Sequence, residues 1–249
     1  MESDLIDKLA AICERHVGNS NDPAFNEVVF PEPYVPYIPG GWNGVLVVAE
    51  AQNLSQKNEG YVQNLRDPTS PQDRIRRLQL ARLHPEGGIG VQPWDDGLLP
   101  LAIEAALKVD PEHVAVSNAV PWSLRTPTGA NINPTPGLRK LAISFWQDLL
   151  MTMRPSHIVA AGVTAGNVMK RACTPDLGAK VTVWISPSPR VLSLLPGKVS
   201  QDGRKKRFWE VAAALEHHPE WDKPSNVLYA CLAILLSDAN AQPPTPSPG

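Results

Sequence analysis

Two polar segments follow directly on β-branched apolar runs. Ala49-Glu50-Ala51-Gln52-Asn53 closes Val45-Leu46-Val47-Val48, and Ser186-Pro187-Ser188-Pro189-Arg190 closes Val181-Thr182-Val183-Trp184-Ile185. Glu50 is the sole carboxylate among the segments that end such runs. A carboxylate in that place can orient a water molecule or stabilise developing positive charge. Asn118, which follows Val114-Ala115-Val116-Ser117, offers a donor and an acceptor on one amide. Ser186 and Ser188 place hydroxyls in a loop stiffened by Pro187 and Pro189, and Gly162 with Thr164 follows Ile158-Val159-Ala160-Ala161.

These groups can meet only if the four apolar runs are neighbouring strands. Each run is short and nearly continuous in apolar residues, the pattern of a strand covered on both faces. The spacing predicts helices over 71–83, 98–107, 137–153, 164–171, 205–217 and 226–239, and an amphipathic helix within 1–17. Strands that alternate with helices build a parallel sheet with crossover connections. The expected fold is therefore α/β, a three-layer α/β/α sandwich with a central four-stranded parallel sheet. Ligands of such sheets bind beyond the carboxyl ends of the strands. Glu50, Asn118, Gly162, Thr164, Ser186 and Ser188 are expected there, and His113 and His157, which precede strands, at the opposite end.

Composition bounds the class. A chain of 249 residues with 43% apolar content can bury one sizeable core. A single domain is expected over 1–242, with a disordered Pro/Ser-rich tail over 243–249. Residues 31–40 hold four prolines with Tyr34 and Tyr37 interleaved, an extended arm expected to wrap the body ahead of the first strand. The long stretch over 50–100 has the length of a site-walling loop. Cys13, Cys173 and Cys231 are too few and too scattered for a disulfide framework, which places the chain in a reducing cytoplasm. The apolar stretch 227–236 is too short to span a bilayer and is expected to cap the core, so no membrane partner is expected.

A net charge of −2 carries no global signature of nucleic-acid binding. The local distribution differs. Arg190, Lys198, Arg204, Lys205, Lys206 and Arg207 are opposed only by Asp202 and follow directly on the last polar segment, where they suit phosphate contacts. A second group, Arg74, Arg76, Arg77 and Arg82, reads as an exposed helix face.

Taken together, the motifs resemble the uracil-DNA glycosylase superfamily. Its members carry a Gly-Glu-Ala-Pro-Gly-like loop after the first strand and a His-Pro-Ser-Pro-like loop after the last, and the segments at Glu50 and Ser186 stand in those places in that order. Asn118 matches the pocket asparagine at the end of the second strand. Pro155-Ser156-His157-Ile158-Val159-Ala160-Ala161-Gly162 is similar to the superfamily's third strand. The resemblance covers roughly residues 42–215.

That resemblance implies a monofunctional glycosylase acting as a monomer on uracil-containing DNA, a hydrolase that initiates base excision repair. Glu50 and Ser186 are the implied catalytic residues. Asn118, Gln52, Asn53 and Tyr61 are implied to contact the base, and Ser188, Arg190, Lys205 and Lys206 the DNA, with Arg190 as a wedge in the base stack. No metal or other cofactor is implied, and the cysteines of the iron–sulfur subfamilies are absent.

The departures are specific. The superfamily's usual histidine in the last loop is Ser186 here, which can donate a hydrogen bond but carries no charge. His84, in the long stretch after the first strand, is the one histidine placed to compensate. Gln52-Asn53 replaces Pro-Gly, a change that can widen the range of bases to hypoxanthine or xanthine. A non-catalytic nucleic-acid binder of the same fold is the further alternative. Gly162-Val163-Thr164-Ala165-Gly166 also fits a nucleophile elbow with threonine in place of serine, but no acid and histidine follow at the expected strand ends.

Overall fold

The computed structural model describes residues 3–54, 70–81, 97–125, 133–187 and 224–239. Four strands form one sheet: β1 (Val45–Leu54), β2 (Ala115–Arg125), β3 (His157–Ala161) and β4 (Lys180–Trp184). They lie in the order β2-β1-β3-β4, and every pair is parallel. Helices cover both faces, giving the expected three-layer α/β/α sandwich. On one face lie α1 (Ser3–Arg15), α2 (Pro71–Ala81), α4 (Pro136–Met153) and α5 (Val163–Ala172), and on the other α3 (Leu98–Leu107) and α6 (Pro224–Ala239).

Side-chain alternation along β1 separates the two cores. Leu46 and Val48 face the α4/α5 side, whereas Val45, Val47 and Ala49 face α3 and α6. The helices are set by local chemistry. In α1, Ile6, Leu9, Ala10 and Cys13 make one buried stripe at helical spacing. The Thr135 hydroxyl accepts the Leu138 N–H at 3.1 Å to start α4, with Pro136 in the first turn, and Arg154 in the left-handed region ends it. Trp146 of α4 is fully buried, and its indole N–H donates to the Ala119 carbonyl at 2.8 Å, fixing α4 to β2.

The proline-rich arm lies along the outer edge of β2, antiparallel to it. Val29 N–H donates to Ser123 O, Tyr34 N–H to Pro121 O, and Tyr37 and Val116 exchange a pair of bonds. This covers backbone groups that an edge strand would otherwise expose. The arm is pinned by α2, where Gln79 accepts the Ile38 N–H at 2.8 Å and donates to Pro36 O at 3.0 Å.

Two expectations need correction here. Arg74 is not part of an exposed helix face: it is 11% exposed, ion-paired with Glu32, and its guanidinium carbon lies 4.6 Å from the centre of the Phe30 ring. Arg74 thus ties α2 to the carboxylate of Glu32 and the ring of Phe30. Strands β1 and β2 also run on through segments expected as loops, to Leu54 and Arg125. Ala51 pairs with Val120 and Asn53 with Leu124, across a register shift that absorbs extra residues on β2.

Candidate functional site

Glu50 stands in the strand continuation of β1 and faces the α5 side. Its carboxylate meets the first turn of α5, where the Thr164 backbone N–H donates to Oε1 at 3.2 Å. No side chain at Gly162, the residue preceding the helix, caps that turn, so Glu50 supplies the missing acceptor from another element. A carboxylate there also complements the positive end of the helix dipole. Gly162 makes the approach possible. Its φ is +118°, and a Cβ at this position would stand 2.5 Å from Glu50 Oε1.

The exit of β4 reaches the same carboxylate from the other side. Ser186 Oγ donates toward Glu50 Oε2 at 3.5 Å. Gly162 N–H donates to the Trp184 carbonyl at 3.0 Å, so the ends of β3 and β4 are joined next to the site. The sequence placed Glu50, Gly162, Thr164 and Ser186 together, and the structure brings them together where β1, continuing as a strand through Glu50, passes the carboxyl ends of β3 and β4. The Gly162-Val163-Thr164-Ala165-Gly166 pattern has a packing account. Gly162 admits Glu50, and Gly166 lets α5 approach β4, since a Cβ there would stand 2.8 Å from Val183 Cγ1. Val163, between them, is 74% exposed beside the carboxylate.

Asn118 was expected at a strand end and is instead the fourth residue of β2. Reading Ser117-Asn118 as the stop fails because residues 119–125 find partners on both sides, β1 on one and the arm on the other. Asn118 pairs in register with Ala49, so its side chain leaves the sheet on the α3/α6 side, opposite to Glu50. It is 2% exposed, and its Nδ2 donates at 2.9 Å to the Tyr34 hydroxyl, which in turn donates to Val120 O at 3.3 Å. Tyr34 is thus a contributor that sequence reasoning missed, signalled only by its place in the proline-rich arm.

The second missed contributor is α6. Tyr229 is fully buried, and its hydroxyl donates at 2.7 Å to the carbonyl of Ile185, the residue before Ser186. Burial first, and the negative charge of Glu50 second, hold the Tyr229 hydroxyl well above the ordinary tyrosine range, so it remains a proton donor. Trp184 Nε1–H donates to Ser237 Oγ of α6 at 3.1 Å, and the Trp184 and Tyr229 rings meet edge to face. A polar-tipped Tyr229 within an apolar run was the available signal.

Gln52 and Asn53 lie in β1, with Asn53 paired to Leu124. Tyr61, His84, Ser188, Arg190, Lys205 and Lys206 lie outside the described residues. His157 sits where expected, at the amino end of the sheet, in register with Val45. Among the described residues no three His, Cys, Asp or Glu side chains cluster to hold a metal ion, and no helix is long and apolar enough to cross a membrane. The chain matches no protein-family model, and a search of curated proteins finds no match.

Proposed function

We propose that this protein is a DNA glycosylase that hydrolyses the N-glycosidic bond of uracil in DNA, a reading that rests on the resemblance of its strand-end motifs to the uracil-DNA glycosylase superfamily. The observation that carries it is the setting of Glu50. A carboxylate at the carboxyl edge of a parallel sheet is held by one oxygen on a backbone N–H and approached at the other by a hydroxyl at 3.5 Å. The second oxygen keeps acceptor capacity for a water molecule.

In the proposed reaction the bond from the sugar carbon to the base nitrogen breaks with its electron pair going to the base. The sugar becomes oxocarbenium-like, and a water oxygen adds to that carbon. Glu50 orients the water, stabilises the cationic sugar and takes up the proton the water loses. Ser186 stands where the superfamily places its histidine. Its hydroxyl is directed at Glu50, which suits orienting the carboxylate more than neutralising the departing base. The resemblance assigns the base edge to Asn118, but its side chain lies on the face opposite Glu50 with Nδ2 on the Tyr34 hydroxyl, so that role is the one the Asn118→Ala variant has to test. Arg190 with Lys205 and Lys206 supply the contacts to DNA. Hypoxanthine and xanthine are the alternative bases.

The test is excision by the purified full chain from oligonucleotides carrying uracil, hypoxanthine or xanthine, read as alkali-labile abasic sites. Wild-type chain should release uracil, and Glu50→Gln should slow single-turnover release at least about tenfold, roughly 1.4 kcal/mol of barrier, with DNA affinity retained. A chain that binds DNA yet leaves every base in place is a non-catalytic binder.

A further inference from the structure

We infer that Tyr229 is a positioning residue for the Glu50 site, acting through the Ile185 carbonyl to set Ser186 against the carboxylate, so that the carboxyl-terminal helix α6 is part of the machinery and not only a cover for the core. The inference rests on the glycosylase reading for its catalytic consequence, but the positioning itself stands on geometry.

β4 ends at Trp184, and the chain beyond it must bring Ser186 to Glu50 without a strand partner to hold it. Two groups from α6 grip this exit. The Tyr229 hydroxyl donates to Ile185 O at 2.7 Å, one residue before Ser186, and Ser237 Oγ accepts the Trp184 indole N–H at 3.1 Å. On the other side, Gly162 N–H holds the Trp184 carbonyl at 3.0 Å. The backbone on the amino side of Ser186 is thus tied to both α6 and the start of α5. A short bond from a buried hydroxyl to a carbonyl is costly to lose, because the carbonyl cannot find water in its place. Tyr229 is the only one of these groups that is both fully buried and bonded to the residue adjoining Ser186.

From there the network runs Ser186 Oγ to Glu50 Oε2, and Glu50 Oε1 to the Thr164 amide. Tyr229 touches neither substrate nor carboxylate in this arrangement. Its effect is on where the Ser186 hydroxyl points, and through it on the angle at which Glu50 meets the water. Such an effect lowers turnover while leaving substrate binding nearly unchanged.

The experiment compares wild type, Tyr229→Phe, Ser186→Ala and the double variant in the full chain. Tyr229→Phe keeps the ring and its contact with Trp184 and removes only the hydroxyl. With uracil-containing oligonucleotide, each single variant should lower kcat by about tenfold with KM changed less than about twofold, and the double variant should be no slower than the worse single one within about threefold. Amide hydrogen exchange read by NMR supplies a second measure that needs no activity. Exchange at Thr164 should rise in Tyr229→Phe while Val159, in the middle of β3, is unchanged. Unchanged exchange at Thr164, a parallel rise at Thr164 and Val159, or multiplicative losses in the double variant overturn the positioning role. If wild type releases no base, the glycosylase reading fails, and the exchange comparison alone still decides for or against Tyr229.

Discussion

Glu50 and Gly162 are a complementary pair: the carboxylate occupies the volume that any side chain at position 162 would fill, 2.5 Å from the place of a Cβ. The α5 start therefore has its cap supplied by β1, and a glycine is the condition for it. Gly162→Ala meets this contact and a φ of +118° together, so it is expected to destabilise the fold by about 1–3 kcal/mol. Urea denaturation measures that loss, and excision assayed below the transition should fall with Glu50→Gln. A variant as stable and active as wild type would show that Glu50 is not seated there.

The sheet was legible in the sequence because Val45-Leu46-Val47-Val48, Ile158-Val159-Ala160-Ala161 and Val181-Thr182-Val183-Trp184 are each closed by a polar break and separated by helical periodicity. So was the meeting of Glu50 with Gly162, Thr164 and Ser186, since parallel strands gather their carboxyl ends on one edge. What failed had a common cause. Ser117-Asn118 read as the end of the second strand, yet the arm satisfies β2 along its outer edge, and Pro121 is tolerated in β2 because this is an edge strand. Arg74 read as solvated because its partner, Glu32, is distant in sequence. Tyr34 and Tyr229 act through hydrogen bonds of their hydroxyls to elements far along the chain, which no local pattern announces.

Asn118 tests whether a buried amide can read a base. Asn118→Ala and Tyr34→Phe each remove the 2.9 Å bond between the two side chains, and each should cost about 1–3 kcal/mol of stability. Only Asn118→Ala removes the amide itself. Excision should therefore fall steeply in Asn118→Ala and by much less in Tyr34→Phe, when rates are compared at equal folded fraction. Equal losses in the two variants would reduce Asn118 to a structural partner of the arm.

Arg190, Lys205 and Lys206 separate a wedge from a phosphate track. If Arg190 fills the gap left by a flipped nucleotide, Arg190→Ala slows excision from duplex more than from single strands, since only the duplex has a stack to hold open. Neutralising Lys205 and Lys206 should weaken binding to all sequences alike and flatten the dependence of affinity on salt. Equal slowing on both substrates removes the wedge role. An unchanged salt slope moves the phosphate track to another face.

His157 gives the fold a pH dependence separate from the site. It opens β3 at the amino end of the sheet, its Nε2 lies 2.9 Å from the Thr182 hydroxyl, and Lys180 is its register partner on β4. Burial first, and the Lys180 charge second, hold its imidazole below the ordinary histidine value. Above about pH 6.5 the ring is neutral in both folded and unfolded chains and does not bias folding. As the pH falls below that value the unfolded chain takes the proton first, so stability drops until the lower, folded-state value is passed and then stops changing on this account. His157→Gln keeps a hydrogen-bonding side chain opposite Thr182 and cannot titrate. Subtracting its urea-derived stability from that of wild type cancels the carboxylates the two chains share, and the difference should decline on acidification from about pH 7 to about pH 5. A difference that stays level across this interval refutes the assignment. Because His157 and Glu50 stand at opposite ends of the sheet, the pH profile of excision should be the same in the two chains wherever both are fully folded.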